Sequence, residues 1–147
     1  MTADLATYID SINQAWNSHD IESVLRLYAP EYVGSDVGQL TPQRGHQGLS
    51  EMLQTYWRAF PDLQFVVTDR VIEASRVVVV WVAVGTHQGP IMNIPPTGHK
   101  VQVRGMSVIT VENGLVVHGQ SLWDMAGMLR HLGLLPELPT SGSTEVR

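Results

Sequence analysis

The sequence of 147 residues contains no cysteine, which excludes disulfide bonds and a thiol nucleophile. Basic residues are scarce: nine Lys and Arg stand against 14 Asp and Glu, and the formal net charge is −5. The chain therefore has no basic cluster that could neutralise a phosphate backbone or an anionic membrane surface. We expect neither nucleic acid nor a membrane among its partners.

Long apolar stretches and targeting signals are also missing. No apolar run reaches the roughly 18 residues of a membrane-spanning helix. The N-terminal sequence MTADLATYID carries an early acid and no basic region, which differs from a signal peptide. We therefore expect a cytoplasmic protein.

The motifs of common cofactor sites are absent as well. The six histidines, at positions 19, 46, 87, 99, 118 and 131, include no pair four residues apart and no HExxH motif. The sequence also has no Walker A motif, no GxGxxG and no Gly-x-Ser-x-Gly elbow. We expect neither a metal ion nor an organic cofactor.

What the sequence does contain is a change of periodicity near its middle. In the first half, apolar residues recur at helical spacing over residues 5–16, 21–28 and 49–60, which predicts three helices. Prolines at positions 30 and 61 end the second and the third of these helices. Residues 31–46, with three glycines and one proline, are typical of a loop.

The second half is typical of a sheet. Residues 64–73 alternate loosely, and residues 76–84 are almost continuously apolar, as in a strand that is covered on both faces. Residues 101–111 and 115–122 are two further predicted strands, and the Asn-Gly pair between them predicts a two-residue hairpin turn. Residues 125–132 predict a last short helix.

This order of elements predicts an α+β fold. We assign a single domain to residues 1–136 and a flexible tail to residues 137–147, which have the composition of a chain terminus. A curved sheet that wraps around helices makes a cone, and its apolar cavity is the expected ligand site. The apolar strand over residues 77–84 favours a homodimer that forms through the sheet.

Several short segments resemble, in order and spacing, the SnoaL-like family of the NTF2-like fold, whose members include polyketide cyclases. These segments are AWNSHD at 15–20, YAPEYV at 28–33, AFPDL at 59–63, GTH at 85–87, IPPTG at 94–98 and LRHLG at 129–133. The resemblance covers roughly residues 5 to 135. It implies a cone in which three N-terminal helices pack on a curved, mostly antiparallel sheet.

The resemblance also implies where the catalytic groups would stand. The cyclases use a histidine and an aspartate from the last two strands, and these positions correspond to Ser107 and Ser121 in this chain. Serine hydroxyls donate and accept hydrogen bonds, but they cannot take a carbon-bound proton as a carboxylate can. We therefore consider Asp124, Asp36 and His118 as the groups that transfer a proton.

Each of these three residues has a structural alternative. Asp124 lies at a strand-to-helix junction, where it could be the N-cap of the last helix. If Ser121 points into the cone, strand alternation turns His118 to the outer face of the sheet. Asp36 lies in a polar loop and could simply be solvated.

Six further side chains are candidates for binding the substrate: Trp16, Trp57, Phe60, Met92, His87 and Arg104. The apolar ones would form the wall of the cavity. His87 could orient a ligand carbonyl, or it could be a loop histidine that bonds to its neighbours. Arg104 could bind an anionic group, or it could face outward and pair with an acid.

The sequence and the resemblance together predict a cofactor-free enzyme of secondary metabolism. It would cyclise or isomerise an apolar, polyketide-like small molecule inside the cone. One alternative is an enzyme that opens an epoxide or forms a cyclic ether with an acid pair, for which Asp36 and Asp124 are the candidates. The other alternative is a small-molecule-binding protein without catalysis.

Overall fold

The structure, a computed structural model, describes residues 2–139. The helices are α1 (Thr2–Ser18), α2 (Ile21–Leu25), α3 (Gly45–Ala59) and α4 (Met125–His131). The strands are β1 (Tyr28–Asp36), β2 (Gln43–Arg44), β3 (Gln64–Glu73), β4 (Arg76–Thr86), β5 (Lys100–Glu112) and β6 (Leu115–Trp123). Of the predicted flexible tail, residues 140–147 lie outside the described residues.

The six strands form one sheet in the order β2-β1-β6-β5-β4-β3. Only the pair β1 and β6 is parallel, and every other pair is antiparallel. The predicted hairpin between β5 and β6 is confirmed. Its two central residues, Asn113 and Gly114, both have positive φ angles, of 53° and 77°, as a type I′ turn requires.

The sequence prediction is wrong around the first strand. The second helix does not extend to Tyr28, and residues 31–36 of the predicted loop belong to strand β1. Pro30 is tolerated there because the β1–β6 register shifts between Tyr28 and Val33, so the missing N–H falls at an irregular part of the ladder. Strands β1 and β2 therefore separate the second helix from the third, and the three helices do not form the uninterrupted N-terminal block that was predicted.

The main core lies between the helices and the inner face of the sheet. Helix α1 contributes Ile9 and Ile12, and α3 contributes Leu49 and Leu53, all of which are buried. The spacing of three and four residues within each helix places these side chains on one stripe. Among the helices that the structure describes, none combines the length and the apolar character needed to cross a membrane.

Strand β4 shows the two faces of the sheet most clearly. Val77 and Val79 point to the inner face and are buried under the helices. Val78, Val80 and Val82 alternate with them and point to the outer face, where they keep part of their surface exposed. The apolar character on both faces explains why this segment has no polar alternation in the sequence.

Candidate active site

A cavity of about 170 Å³ opens between the helices and the inner face of the sheet. This is more than ten times the roughly 10–15 Å³ that a single water requires. Its wall is mainly apolar and includes Ile9, Trp16, Met52, Phe60, Val79 and Met128. A cavity of this kind, with a few convergent polar groups, is the usual form of a small-molecule site.

Three polar side chains of the cavity lie in one row across three adjacent strands. Asp36 of β1 pairs in register with Ser121 of β6, and Ser121 pairs with Ser107 of β5. Neighbouring strands are about 4.8 Å apart, and paired residues point to the same face. The row therefore places one carboxylate and two hydroxyls side by side on the inner face, and all three line the cavity.

The two serines are linked by a short hydrogen bond, with 2.7 Å between their Oγ atoms. The indole Nε1 of Trp81 donates to Ser107 Oγ at 3.0 Å. The indole of Trp81 and the two serine hydroxyls carry one polar hydrogen each, and the two hydrogen bonds use two of these three hydrogens. Whichever serine is the donor in the pair, one hydroxyl hydrogen remains to be donated to a ligand in the cavity.

Asp36 is held by three donors from three different segments. Its Oδ1 accepts from Trp123 Nε1 at 2.6 Å and from the Gly38 amide at 3.0 Å, and its Oδ2 accepts from the Tyr56 hydroxyl at 2.8 Å. Among the described residues, no basic side chain forms a salt bridge with it. A carboxylate offers about four acceptor sites, so one site on Oδ2 stays open.

The tyrosines around Asp36 are donors at neutral pH. Burial raises the pKa of Tyr32 to about 12, and the negative charge of Asp36 adds to this increase. Burial and the same carboxylate also raise the pKa of Tyr56 well above its ordinary value. Both phenols therefore keep their protons beside the carboxylate.

The structure brings five of the predicted site residues into the cavity: Asp36, Ser107, Ser121, Trp16 and Phe60. The two serines point inward at the positions that the resemblance implied. Asp36 also reaches the cavity, because its segment is the end of a strand and not the solvated loop that the sequence predicted.

Asp124, His118 and Arg104 lie elsewhere. Asp124 is the N-cap of α4 and accepts a hydrogen bond from the Gly127 amide at 2.8 Å. Arg104 is exposed, and its guanidinium lies 3.9 Å from the Asp124 carboxylate. His118 is exposed on the outer face. Within the described part of the chain, Asp36 is thus the only carboxylate that lines the cavity.

The remaining three candidates lie behind or outside the cavity wall. Trp57 stacks on His19 with a distance of 4.8 Å between the ring centroids. His87 is fully buried against Phe60, and its Nδ1 accepts from the Thr97 amide at 3.1 Å. Of its two predicted roles, the structure therefore favours the histidine that bonds to its neighbours. Met92 is partly exposed on a turn.

Sequence reasoning missed four side chains of the site: Tyr32, Tyr56, Trp81 and Trp123. Tyr56, Trp81 and Trp123 each donate a hydrogen bond to Asp36 or Ser107, and no sequence pattern reveals these contacts. Tyr32 could have been found, because Tyr32, Gly34 and Asp36 occupy alternate positions of one strand. That alternation was hidden by the nearby glycines and prolines, which predicted a loop.

Comparison with known proteins adds a family model and several solved structures. The family model of the SnoaL-like polyketide cyclases matches residues 6–132 of the chain. No curated protein matches the chain.

Two of the similar solved structures come from Streptomyces. AclR of Streptomyces galilaeus, a proposed hydroxylase, is 25% identical with a TM-score of 0.84 over 100% of this chain and 95% of AclR. IdmH of Streptomyces antibioticus, a proposed polyketide cyclase, is 30% identical with a TM-score of 0.76 over 87% of this chain and 97% of IdmH.

A third solved structure supports the fold alone. It is a protein of Catenulispora acidiphila with a ketosteroid isomerase-like fold. The two sequences are 13% identical, the TM-score is 0.76, and the match covers 87% of this chain and 93% of the other. The six-stranded curved sheet with four helices is therefore of this fold type.

Proposed function

The chain belongs to the SnoaL-like polyketide cyclase family, and from this premise we propose that it is a cofactor-free enzyme of secondary metabolism that cyclises or isomerises an apolar, polyketide-like ketone. The observation that carries the proposal is the polar row inside the apolar cavity. Asp36 offers an open acceptor site, and the serine pair beside it offers one free hydroxyl hydrogen. A base next to a hydrogen-bond donor is the arrangement that enolisation of a ketone needs.

The reaction starts with a proton transfer to Asp36. Its Oδ2 takes a proton from a carbon next to a carbonyl, and the electron pair moves onto the carbonyl oxygen. The free hydroxyl of the serine pair donates to that oxygen, which stabilises the enolate as its charge develops. The enolate carbon then attacks a second carbonyl of the same folded molecule and forms a carbon–carbon bond. Asp36 returns its proton to the new alkoxide; in an isomerisation, it returns the proton to a different carbon.

The apolar wall contributes by holding the substrate in a folded conformation. Two reacting groups that are fixed at close range react as if at very high concentration, which can remove several kcal/mol from the barrier. Exclusion of water also strengthens the hydrogen bonds from the serine pair. The alternative chemistry with an acid pair requires a second carboxyl, and Asp124 does not supply it because it caps α4.

The proposal is tested with β-tetralone, an apolar bicyclic ketone whose acidic carbon-bound protons exchange in heavy water. We expect the protein to accelerate this exchange, as followed by proton NMR, above the rate in buffer alone. If the ketone binds, as shown by quenching of the tryptophan fluorescence, and exchange is not accelerated, proton-transfer catalysis is rejected and the non-catalytic binding protein is favoured.

We also propose that the chain forms a homodimer through the outer face of its sheet. Val80, Met106 and Leu122 are paired in register across three strands and form an apolar row on this face. Met106 and Leu122 are more than half exposed in the single chain, with 51% and 62% of their surface accessible. A second copy would remove this surface from water, which is favourable by about 25 cal/mol per Å².

A further inference from the structure

The side chain of Tyr32 occupies an unusual position on the inner face of the sheet. Its ring runs along β1 and covers Gly34, and its hydroxyl lies between Gly34 and the paired Gly119 of β6. The hydroxyl oxygen stands where a Cβ atom of either residue would be. Glycine at both positions therefore creates the space that this hydroxyl fills.

The hydroxyl of Tyr32 has no hydrogen-bond partner among residues 2–139. Only two buried side-chain polar atoms of these residues are sealed from solvent without a partner, and they are Trp57 Nε1 and His87 Nε2. The Tyr32 hydroxyl is not sealed, and its side chain lines the cavity. It therefore opens onto the cavity as an unused donor.

This donor lies next to the polar row. Gly119 and Ser121 are two residues apart on the same face of β6, and Gly34 and Asp36 have the same relation on β1. A hydroxyl above the glycine pair is therefore the next polar group along the sheet from the pair formed by Asp36 and Ser121. The negative charge of Asp36 is accordingly one of the causes of the raised pKa of Tyr32.

We propose that Tyr32 is a further catalytic residue, which donates a hydrogen bond to the same ketone or enolate oxygen that the serine pair binds. This inference rests on the proposed function and adds a second donor to it. The ligand oxygen would sit above β6, with the phenol on one side and the serine hydroxyl on the other. Two donors stabilise the developing charge of an enolate better than one donor does.

The hydroxyl forms no hydrogen bond among the described residues that would give it a structural role. The ring of Tyr32 packs edge-on against Tyr28, with 4.9 Å between the centroids, and this packing is kept in Tyr32→Phe. Removal of an unpartnered hydroxyl from a largely buried side chain costs little stability. A structural role would lower stability in Tyr32→Phe, whereas a ligand-binding role lowers the affinity for an oxygen atom of the ligand.

The test compares two ligands that differ in one carbonyl, β-tetralone and tetralin. Tyr32→Phe is expected to weaken the binding of β-tetralone about tenfold, as measured by quenching of the tryptophan fluorescence, and to leave the binding of tetralin unchanged. The control is Tyr8→Phe, because Tyr8 donates to the Leu27 carbonyl oxygen outside the cavity. This control should lose stability and keep the affinity for both ligands.

A second variant moves the hydroxyl without removing it. In Gly119→Ala the new methyl group would lie 2.6 Å from the Tyr32 oxygen, so the phenol must shift away. We expect the same selective loss of affinity for β-tetralone. The infrared carbonyl band of bound β-tetralone should also move to higher frequency in both variants, because one donor is lost.

The inference on Tyr32 is overturned if Tyr32→Phe binds β-tetralone as tightly as the wild type and leaves its carbonyl band in place. The proposed function is tested by a different measurement, the exchange of β-tetralone protons in heavy water. Exchange that survives in Tyr32→Phe at the wild-type rate rejects Tyr32 and keeps Asp36. An absence of exchange in the wild type rejects the proposed function, while the affinity difference would still report the donor.

Discussion

At the scale of single residues, the chemistry of the cavity depends on how each polar group is held. Asp36 is oriented by an indole, a phenol and a backbone amide, and all three are neutral donors. Neutral donors fix the direction of a carboxylate without placing a competing positive charge in the cavity. The open acceptor site on Oδ2 therefore points in a defined direction, which is what a general base requires.

His87 is the residue for which we predict a pH dependence. Burial lowers its pKa below the ordinary value of about 6.5, because the folded protein disfavours the charged imidazole. The unfolded chain then binds the proton more readily than the folded protein does. The free energy of unfolding should be highest above about pH 6.5 and should decrease as the pH falls through the folded pKa, by about 1.4 kcal/mol for each pH unit between the two pKa values.

Urea unfolding between pH 5 and pH 8 measures this effect. The variant His87→Gln should lose part of the pH dependence, whatever its stability at neutral pH. The control is His118→Gln, which makes the same substitution at an exposed histidine and leaves His87 in place. A pH profile of His87→Gln that parallels the wild type would show that His87 is not the group responsible.

At the scale of secondary structure elements, the short helix α4 depends on its cap. Asp124 accepts from the Gly127 amide, which satisfies one of the free N–H groups at the helix start. Asp124→Ala should lower the free energy of unfolding by about 1 kcal/mol, whereas Asp124→Asn should keep most of it. Thermal unfolding of the two variants measures the difference. An equal loss of stability in both variants would mean that the charge of Asp124 matters and its capping does not.

The elements also show what the sequence can predict. The long helices and the strands from β3 onward carry helical periodicity, alternation or a continuous apolar run over nine or more residues, so their patterns were sufficient. Strand β1 contains Pro30 and Gly34, and local rules assign such residues to loops. Its pairing with β6 is parallel and distant in the chain, so only the tertiary structure stabilises it.

The same limit applies to the site. The inward direction of Ser107 and Ser121 followed from the family resemblance and strand alternation, and the structure places both in the cavity. Asp36 was among the predicted proton-transfer groups, but its place opposite Ser121 depended on β1 and could not be predicted while that segment was assigned to a loop. The hydrogen bonds from Tyr56 and Trp123 join segments that are distant in the sequence, and no local pattern encodes them.

At the scale of the whole molecule, we propose that the inner face of the sheet binds the ligand and that the outer face binds a second copy of the chain. We expect the wild-type protein to sediment as a dimer at micromolar concentration. Leu122→Lys should sediment as a monomer, because it places a charge in the apolar row of the outer face. Leu40→Lys is the control, since Leu40 is fully exposed in the loop between β1 and β2 and does not belong to the apolar row. A wild-type protein that sediments as a clean monomer would reject the dimer.

In the proposed function, the enclosed cavity compensates for the presence of a single lining carboxylate among the described residues. The helices and the inner face enclose an apolar space, and the row from Asp36 to Ser107 offers polar partners to a ligand there, next to the Tyr32 hydroxyl. A ketone in this space would place its oxygen on the hydroxyls and its acidic carbon near the carboxylate. The shape of the cavity would hold the ketone in a reactive conformation, and the Asp36 carboxylate would transfer the proton.

The exchange of β-tetralone protons in heavy water, compared between Asp36→Asn and Asp124→Asn, tests the central claim most directly. Both variants replace a carboxylate with an amide, but only Asp36 lines the cavity. We predict that Asp36→Asn lowers the exchange rate by about a hundredfold or more, while Asp124→Asn exchanges at the wild-type rate. Exchange in Asp36→Asn that equals the wild type, or a loss confined to Asp124→Asn, would contradict the assignment of Asp36 as the base.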